Sequence, residues 1–330
     1  MDGESQDRPR AVWPAEELHV RATAQRLLAD HLRDPRPKDN RDDTTPEPVN
    51  AFWGAMDIDL TGAHLHNLDF RGCHILTARF DGATFTGPAV FDRARFTGAA
   101  VFGGVRFSAI AGFAKATFNR DAGFGEAVFS GTAVFDEAVF SRRAVFDEAR
   151  FRGDAGFGRA RFSEHDAGFI RTEFAGYAGF GGVVFAGTAW FVDAKFAGYA
   201  GFGEASFAGD AGFSGAKFAA TARFKWAVFS GPAVFVKATF SGTVAFDGAQ
   251  FFGPARLIRT EFSTIARVDP AVRLRLVFAH FTPEGWRAAP VDGEPGRVLE
   301  WDPVFLAAAA PLAPRDGDHD AEPPTVSERS

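Results

Sequence analysis

The chain has 330 residues, 46% hydrophobic and 24% charged, with a formal net charge of -6. These totals fit one medium-sized soluble domain with extended ends, or two small domains. A single cysteine, Cys73, rules out an internal disulfide and a multi-cysteine zinc site, and 39 Phe beside 2 Met and 2 Tyr is a composition that an ordinary mixed core does not use.

Residues 1–54 divide into a helix and a linker. The opening MDGESQDRPR lacks the apolar stretch of a signal peptide, and the expected location is cytoplasmic. Over residues 15–33, AEELHVRATAQRLLADHLR, apolar side chains at Leu18, Ala22, Leu28 and Leu32, with Leu27 adjacent, and no internal Pro or Gly predict one amphipathic helix. The stretch DPRPKDNRDDTTPEP after it has linker composition. The helix has competing roles, covering the open end of the repetitive region that begins near residue 55, serving oligomerisation or partner docking, or remaining a loose arm, and the first is preferred. Phe52 and Trp53 stand closest to the first inward residue, Ile58, and are the expected direct cover.

Residues 55–262 are one repeat. Apolar centres fall at Leu60, Leu65, Phe70, Ile75, Phe80 and Phe85 in steps of five, then alternate steps of six and five from Phe91 to Phe162. One step of seven, Phe162 to Phe169, interrupts a series that continues to Phe251, Leu257 and Phe262. Of 38 centres 34 are Phe, and the residue two before the centre is Ala in 30 of them. Neither spacing supplies the 3.6-residue period of a helix, whereas in an extended segment residues i−2 and i point to one side. Ala and Phe therefore face inward together. Pairs such as Thr86-Gly87, Asp147-Glu148 and Ser230-Gly231 close each segment as turns. Segments so short, joined by turns of fixed size, must wind into an all-β solenoid whose coils bond to those above and below.

The units IDLTG, AHLHN, LDFRG, CHILT and ARFDG resemble the pentapeptide-repeat family. The resemblance implies a right-handed quadrilateral β-helix with four units per coil, hence about 9–10 coils and a rod about 45 Å long at roughly 4.8 Å per coil. The eleven-residue register lengthens two of the four corners. Cys73 stands at an inward small position and reads as a buried side chain. His64 and His66 share the outer side of one strand without a third ligand, so neither metal nor other cofactor is expected. The step of seven around Ser163-Glu164-His165-Asp166 predicts a corner bulge.

Residues 263–310 are expected to form a short C-terminal cap, with a closing strand where Val272, Leu274, Leu276 and Phe278 alternate with other residues and with Trp286 as a cover. Residues 311–330, rich in Pro, Asp and Glu, have the composition of a disordered tail.

No nucleophile–base pair, phosphate-cradling loop or ligand spacing stands out, and a closed Phe-filled prism leaves no interior pocket. The expected function is a non-catalytic scaffold that binds a protein partner or itself. Two outward columns arise from the 22-residue coil: a charge ladder of Arg150, Glu173 and Lys195, with Tyr177 and Tyr199 stacked on a corner, and an apolar face of Ile170, Trp190, Val192, Val234, Val236 and Ile258. The second is the candidate partner contact. Some family members imitate DNA and bind DNA gyrase, affecting quinolone sensitivity. That alternative needs an acidic rod, yet residues 55–262 carry 20 Asp and Glu against 21 Lys and Arg. Direct nucleic-acid binding lacks a basic excess for the same reason.

Overall fold

In a computed structural model of the chain, residues 15–33, 52–262, 266–267, 274–276, 286–290 and 297–301 are described, from 266 onward as backbone only. Each repeat unit forms a strand of only two residues, such as Arg106–Phe107 or Ala111–Gly112. A strand this short has no stability of its own, and its partners lie one coil away: Thr84 pairs with Arg106, Arg106 with Val128 and Val128 with Arg150, all in parallel. Stacking repeats this arrangement along four faces. The first runs from His64–Leu65 to Glu261–Phe262 and the second from Leu68–Asp69 to Ala266–Arg267, each ten strands deep. The third and fourth both begin on Met56–Asp59 and the longer strand His74–Arg79 stacked on it in parallel, which turns the corner between them and pairs onward with Arg95–Phe96 on one side and Ala100–Val101 on the other. The result is a parallel β-solenoid of about nine turns.

The inward pair fills this prism. Every centre from Phe70 to Phe240 is at most 2% exposed, as are the Ala residues two positions earlier. Rings stack along each face: Phe113 on Phe135 at 4.8 Å and 1°, Phe118 on Phe140 at 4.8 Å and 0°, Phe124 on Phe146 at 4.9 Å and 1°, Phe129 on Phe151 at 4.6 Å and 3°. Across the prism the second and fourth faces meet edge-on, as Phe113 and Phe124 do at 5.3 Å and 85°. Both geometries suit the aromatic quadrupole. Where the inward small residue is Thr, its hydroxyl finds a carbonyl: Thr172 donates to Phe146 O at 2.8 Å and Thr260 to Phe235 O at 2.7 Å. The first coil is built differently, with all corners short. His64 pairs with Thr84, twenty residues on, and Phe70 meets Phe91 edge-on at 5.9 Å and 89°.

The corners come in two kinds. After the second and fourth faces, the residue three beyond the centre donates back to it, as Ala94 N does to Phe91 O at 3.0 Å, and the residue between, Arg93, has φ 56°. That is a type II turn, whose third residue ordinarily asks for Gly. Here Lys115, Glu126, Glu137, Glu148, Arg159, Asp193 and Lys237 hold the same place at φ between 55° and 60°, except Arg159 at 54°. At the lengthened corners Gly serves another purpose. A Cβ on Gly153 would lie 2.7 Å from the carbonyl carbon and oxygen of Gly131 one coil below, and one on Gly131 would meet Ala109 at the same distance. Glycine is selected there because stacked corners touch through their backbones. The extra residue of the 163–166 bulge stretches one coil, so that Arg150 pairs with Glu173, yet Phe162 still stacks on Phe140 at 4.7 Å and on Phe185 at 4.8 Å.

The helix, Ala15–Leu32, covers the first coil. Ala29 and Leu32 are buried in the same core as the Phe columns, with Leu28 packed against it. Ala22, expected to face inward, is exposed, and Ala29 takes that role. Open backbone groups of the coil are met by side chains: Gln25 Nε2 donates to His66 O at 2.8 Å, Arg33 donates to Asp69 O at 2.9 Å and Arg71 O at 3.1 Å, and Arg21 donates to His64 O at 3.3 Å. Burying a sheet end otherwise leaves unpaired donors and acceptors. Phe52 is buried and stacks beside His74 at 6.2 Å, while Trp53 remains exposed and stacks on His31 at 3.9 Å. At the far end, Leu274–Leu276 contributes a residue pairing parallel to Ala255 and runs antiparallel to Arg297–Trp301, which pairs in turn with Trp286–Pro290. The side chain of Trp286 and residues 311–330 lie outside the described residues.

Candidate interaction surface

Outward positions on a solenoid face are the residues immediately before each centre, so one column takes one residue per coil. On the fourth face that column reads Val101, Gly123, Val145, Gly168, Trp190, Gly212 and Val234 before charge returns at Arg256. The glycines make the aromatic fit. The Trp190 ring lies over Gly212, where a Cβ would sit 2.9 Å from a ring carbon. Ile170, Val192, Val236 and Ile258 stand at the adjoining corner, each one residue after a centre, held by inter-coil bonds such as Arg171 N to Val192 O at 2.8 Å and Lys237 N to Ile258 O at 2.9 Å. Asp147 adds a clip, accepting from Ile170 N at 2.9 Å.

All six sequence-predicted contact residues thus lie on one side of the rod, on four of five successive coils with Gly212 and Ser214 at the same places on the remaining one, and all six are half-buried. They form a low ridge with Trp190 laid flat, rimmed by the exposed Arg171, Asp193, Lys237 and Arg259 at the turn positions. An apolar centre with a charged rim is the usual anatomy of a protein contact. Sequence reasoning stopped this column at Ile170 and missed Val101 and Val145, although the same spacing points to them.

The other singled-out residues resolve as structure. Arg150 Nε lies 3.7 Å and Lys195 Nζ 2.7 Å from the Glu173 carboxylate, which the Lys195 ammonium holds below its ordinary pKa. Tyr177 and Tyr199 stack at 5.5 Å and 12°. The Cys73 thiol is fully buried beneath Ala29 O at 3.6 Å, and burial raises its pKa to about 12, far from the thiolate a nucleophile or ligand requires. His66 Nδ1 lies 3.1 Å from Thr86 Oγ1 and its Nε2 2.9 Å from Asn67 Nδ2. At the bulge, His165 Nε2 accepts from Arg142 at 3.0 Å while Nδ1 lies 3.3 Å from Ser163 Oγ, an arrangement that ties the extra residue to the coil below. Among the described residues no three His, Cys, Asp or Glu are grouped to hold a metal, and no helix is long and apolar enough to cross a membrane.

Compared with known families, the chain matches a model described as pentapeptide repeats in nine copies over overlapping segments from residue 80 to 261, and a second, of eight copies, over residues 57–87. Searches of the curated proteins and of the solved structures gave no match.

Proposed function

We propose that this chain, which belongs to the pentapeptide-repeat family, is a non-catalytic interaction scaffold that binds a protein partner or a second copy of itself through the fourth face of its rod. The observation that carries the reading is the uncharged outward column from Val101 to Val234, broadened by Ile170, Val192, Val236 and Ile258 on a core packed solid with stacked rings. A rigid support pre-organises such a surface, so association does not have to order it. The proposal places the contact in the compartment expected from the sequence, the cytoplasm.

The double variant Trp190→Glu/Val234→Glu tests it. Both side chains point outward, so circular dichroism and Tm should match the wild type while association, measured by sedimentation or by capture of partners from a cell extract, is lost. Undiminished association would remove the face from consideration. The gyrase-binding alternative asks for phosphate-like charge along the rod, and the near-balance of 20 acidic against 21 basic residues over 55–262 speaks against it. Inhibition of gyrase supercoiling by the purified protein would reverse that judgement.

A further inference from the structure

The outward column of the fourth face alternates in size. Val101, Gly123, Val145, Gly168, Trp190, Gly212 and Val234 follow one another at one residue per coil, large and small by turns, and Arg256 ends the series. A column of that kind fits its own reversed copy. Inverted about a point midway between the coils of Gly168 and Trp190, it brings Trp190 opposite Gly168, Gly212 opposite Val145, Val234 opposite Gly123 and Arg256 opposite Val101. The Trp190 ring, laid over Gly212, is thereby set against Val145. The flanking columns obey the same inversion. At the adjoining corner Val192 meets Ile170 and the Ser214 hydroxyl meets the Asp147 carboxylate, while at the turn positions beside them Lys237 meets Glu126 and Asp193 meets Arg171. On the other edge of the face, where the residues before each inward Ala stack coil on coil, Asp210 meets Arg143 and Thr188 meets Asp166. No like charges share a level in these columns.

We infer that the partner of the fourth face is a second copy of this chain, packed face to face with the rods antiparallel about a twofold axis that lies between them, at right angles to both, at this midpoint. The inference rests on the reading of the fourth face as a contact surface and specifies its occupant. An axis so placed sets each edge of the face against the same edge of the other copy, so the inverted order is the order of contacts and each contact occurs twice. Parallel rods would instead put Trp190 on Trp190 and Gly212 on Gly212. Shifting the antiparallel axis by half a coil sets like on like as well, Asp193 on Asp193 in one direction and Arg171 on Arg171 in the other. Lys237, Glu126, Asp210 and Arg143 are exposed, and their side chains make no hydrogen bond or ion pair among the described residues, so their charges are available to one another across the axis. Rim charges of this kind fix orientation and register more than strength, which comes from the apolar centre. The eight coils from Val101 to Arg256 span about 34 Å at roughly 4.8 Å per coil, long enough for an interface of standard size.

Sedimentation velocity of the full chain over a wide concentration range supplies the test. The wild type should pass from monomer to dimer, and Trp190→Glu/Val234→Glu should remain monomeric with unchanged circular dichroism. Two charge-reversed chains then read the register, Glu126→Lys/Arg143→Asp and Lys237→Glu/Asp210→Arg. Turn positions of this kind already hold both Glu and Lys, and the other edge both Asp and Arg, so both chains keep the fold. Each alone makes four like-charged contacts at the rims and should dimerise about tenfold more weakly than the wild type. An equimolar mixture should recover the wild-type affinity, since all four contacts of the mixed pair join opposite charges. A wild type that stays monomeric throughout would overturn this inference and leave the fourth face to a different protein. A dimer that survives Trp190→Glu/Val234→Glu would overturn both readings, and a mixture no stronger than its components would overturn the antiparallel pairing alone.

Discussion

The two kinds of corner make an unusual exchange of glycine testable. Replacing Gly153 by Ala adds a methyl whose carbon would stand 2.7 Å from the Gly131 carbonyl group, well inside van der Waals contact with backbone that cannot rotate away. Overpacking of this kind costs about 1–3 kcal/mol. Glu126→Gly runs the other way. Glu126 holds φ 57°, a conformation that costs an L-residue about 1–2 kcal/mol, and glycine relieves it at an entropic cost of roughly 0.5–1 kcal/mol. The net is neutral to mildly stabilising, and no ion pair is lost. At about 2–4 °C per kcal/mol for a body of this size, Gly153→Ala should lower Tm by roughly 2–12 °C, while Glu126→Gly should hold or raise it. Thermal unfolding followed by circular dichroism reads both, and amide exchange should place the weakening of Gly153→Ala at residues 131–132 and 153–154. Refutation would be an unchanged Tm for Gly153→Ala, or a fall of several degrees for Glu126→Gly. Ala109 and Ala220, and Arg120 and Arg142, hold equivalent corner places in other coils, so the experiment also measures how far one corner must open to admit a side chain.

Phe135→Ala should cost about 3–5 kcal/mol in urea titration, because the ring is stacked on both sides, at 4.8 Å by Phe113 and 4.9 Å by Phe157, and its neighbours are pinned by their own columns. Thr172→Val removes a buried hydroxyl bond while Phe146 O keeps its bond from Ala149 N, so a loss of about 0.5–1.5 kcal/mol is expected from the same titration. Cys73 binds its proton more tightly folded than unfolded, so between pH 9.0 and about 12 the unfolded chain binds fewer protons and stability falls as pH rises. The slope this adds, up to about 1.4 kcal/mol per pH unit, should vanish in Cys73→Ala, and the wild-type thiol should resist alkylation until the chain unfolds.

Most of the architecture was legible because the signal was repeated 38 times. One inward pair per unit fixed the strands, their parallel stacking one coil apart and the ladder from Arg150 to Lys195. The corners were less legible. Glycine and charged pairs both read as turn chemistry, but only contact between stacked backbones distinguishes Gly153, which needs the absence of a Cβ, from Glu126, which tolerates a left-handed φ. The six residues of the candidate face lie on one side of the rod, a placement their 22-residue spacing already implied. The relief of the face was not implied, since Trp190 could be known to lie flat only once Gly212 stood beneath it. In the helix, the apolar residues were visible, but two stripes on one short segment gave no way to decide that Ala29 and Leu32 face the coil and Val20 and Leu27 do not.

The bulge at 163–166 has an implication for engineering. One residue has been added to a corner and the ring columns on either side continue at their normal spacing, so the added length was absorbed entirely outside the prism. Insertion at this corner is decoupled from the stack. Loop-closure entropy rises only by about 0.6 kcal/mol for each doubling of loop length, so a longer peptide grafted between Ser163 and Asp166 should display at a fixed height along the rod without disturbing the coils that carry it.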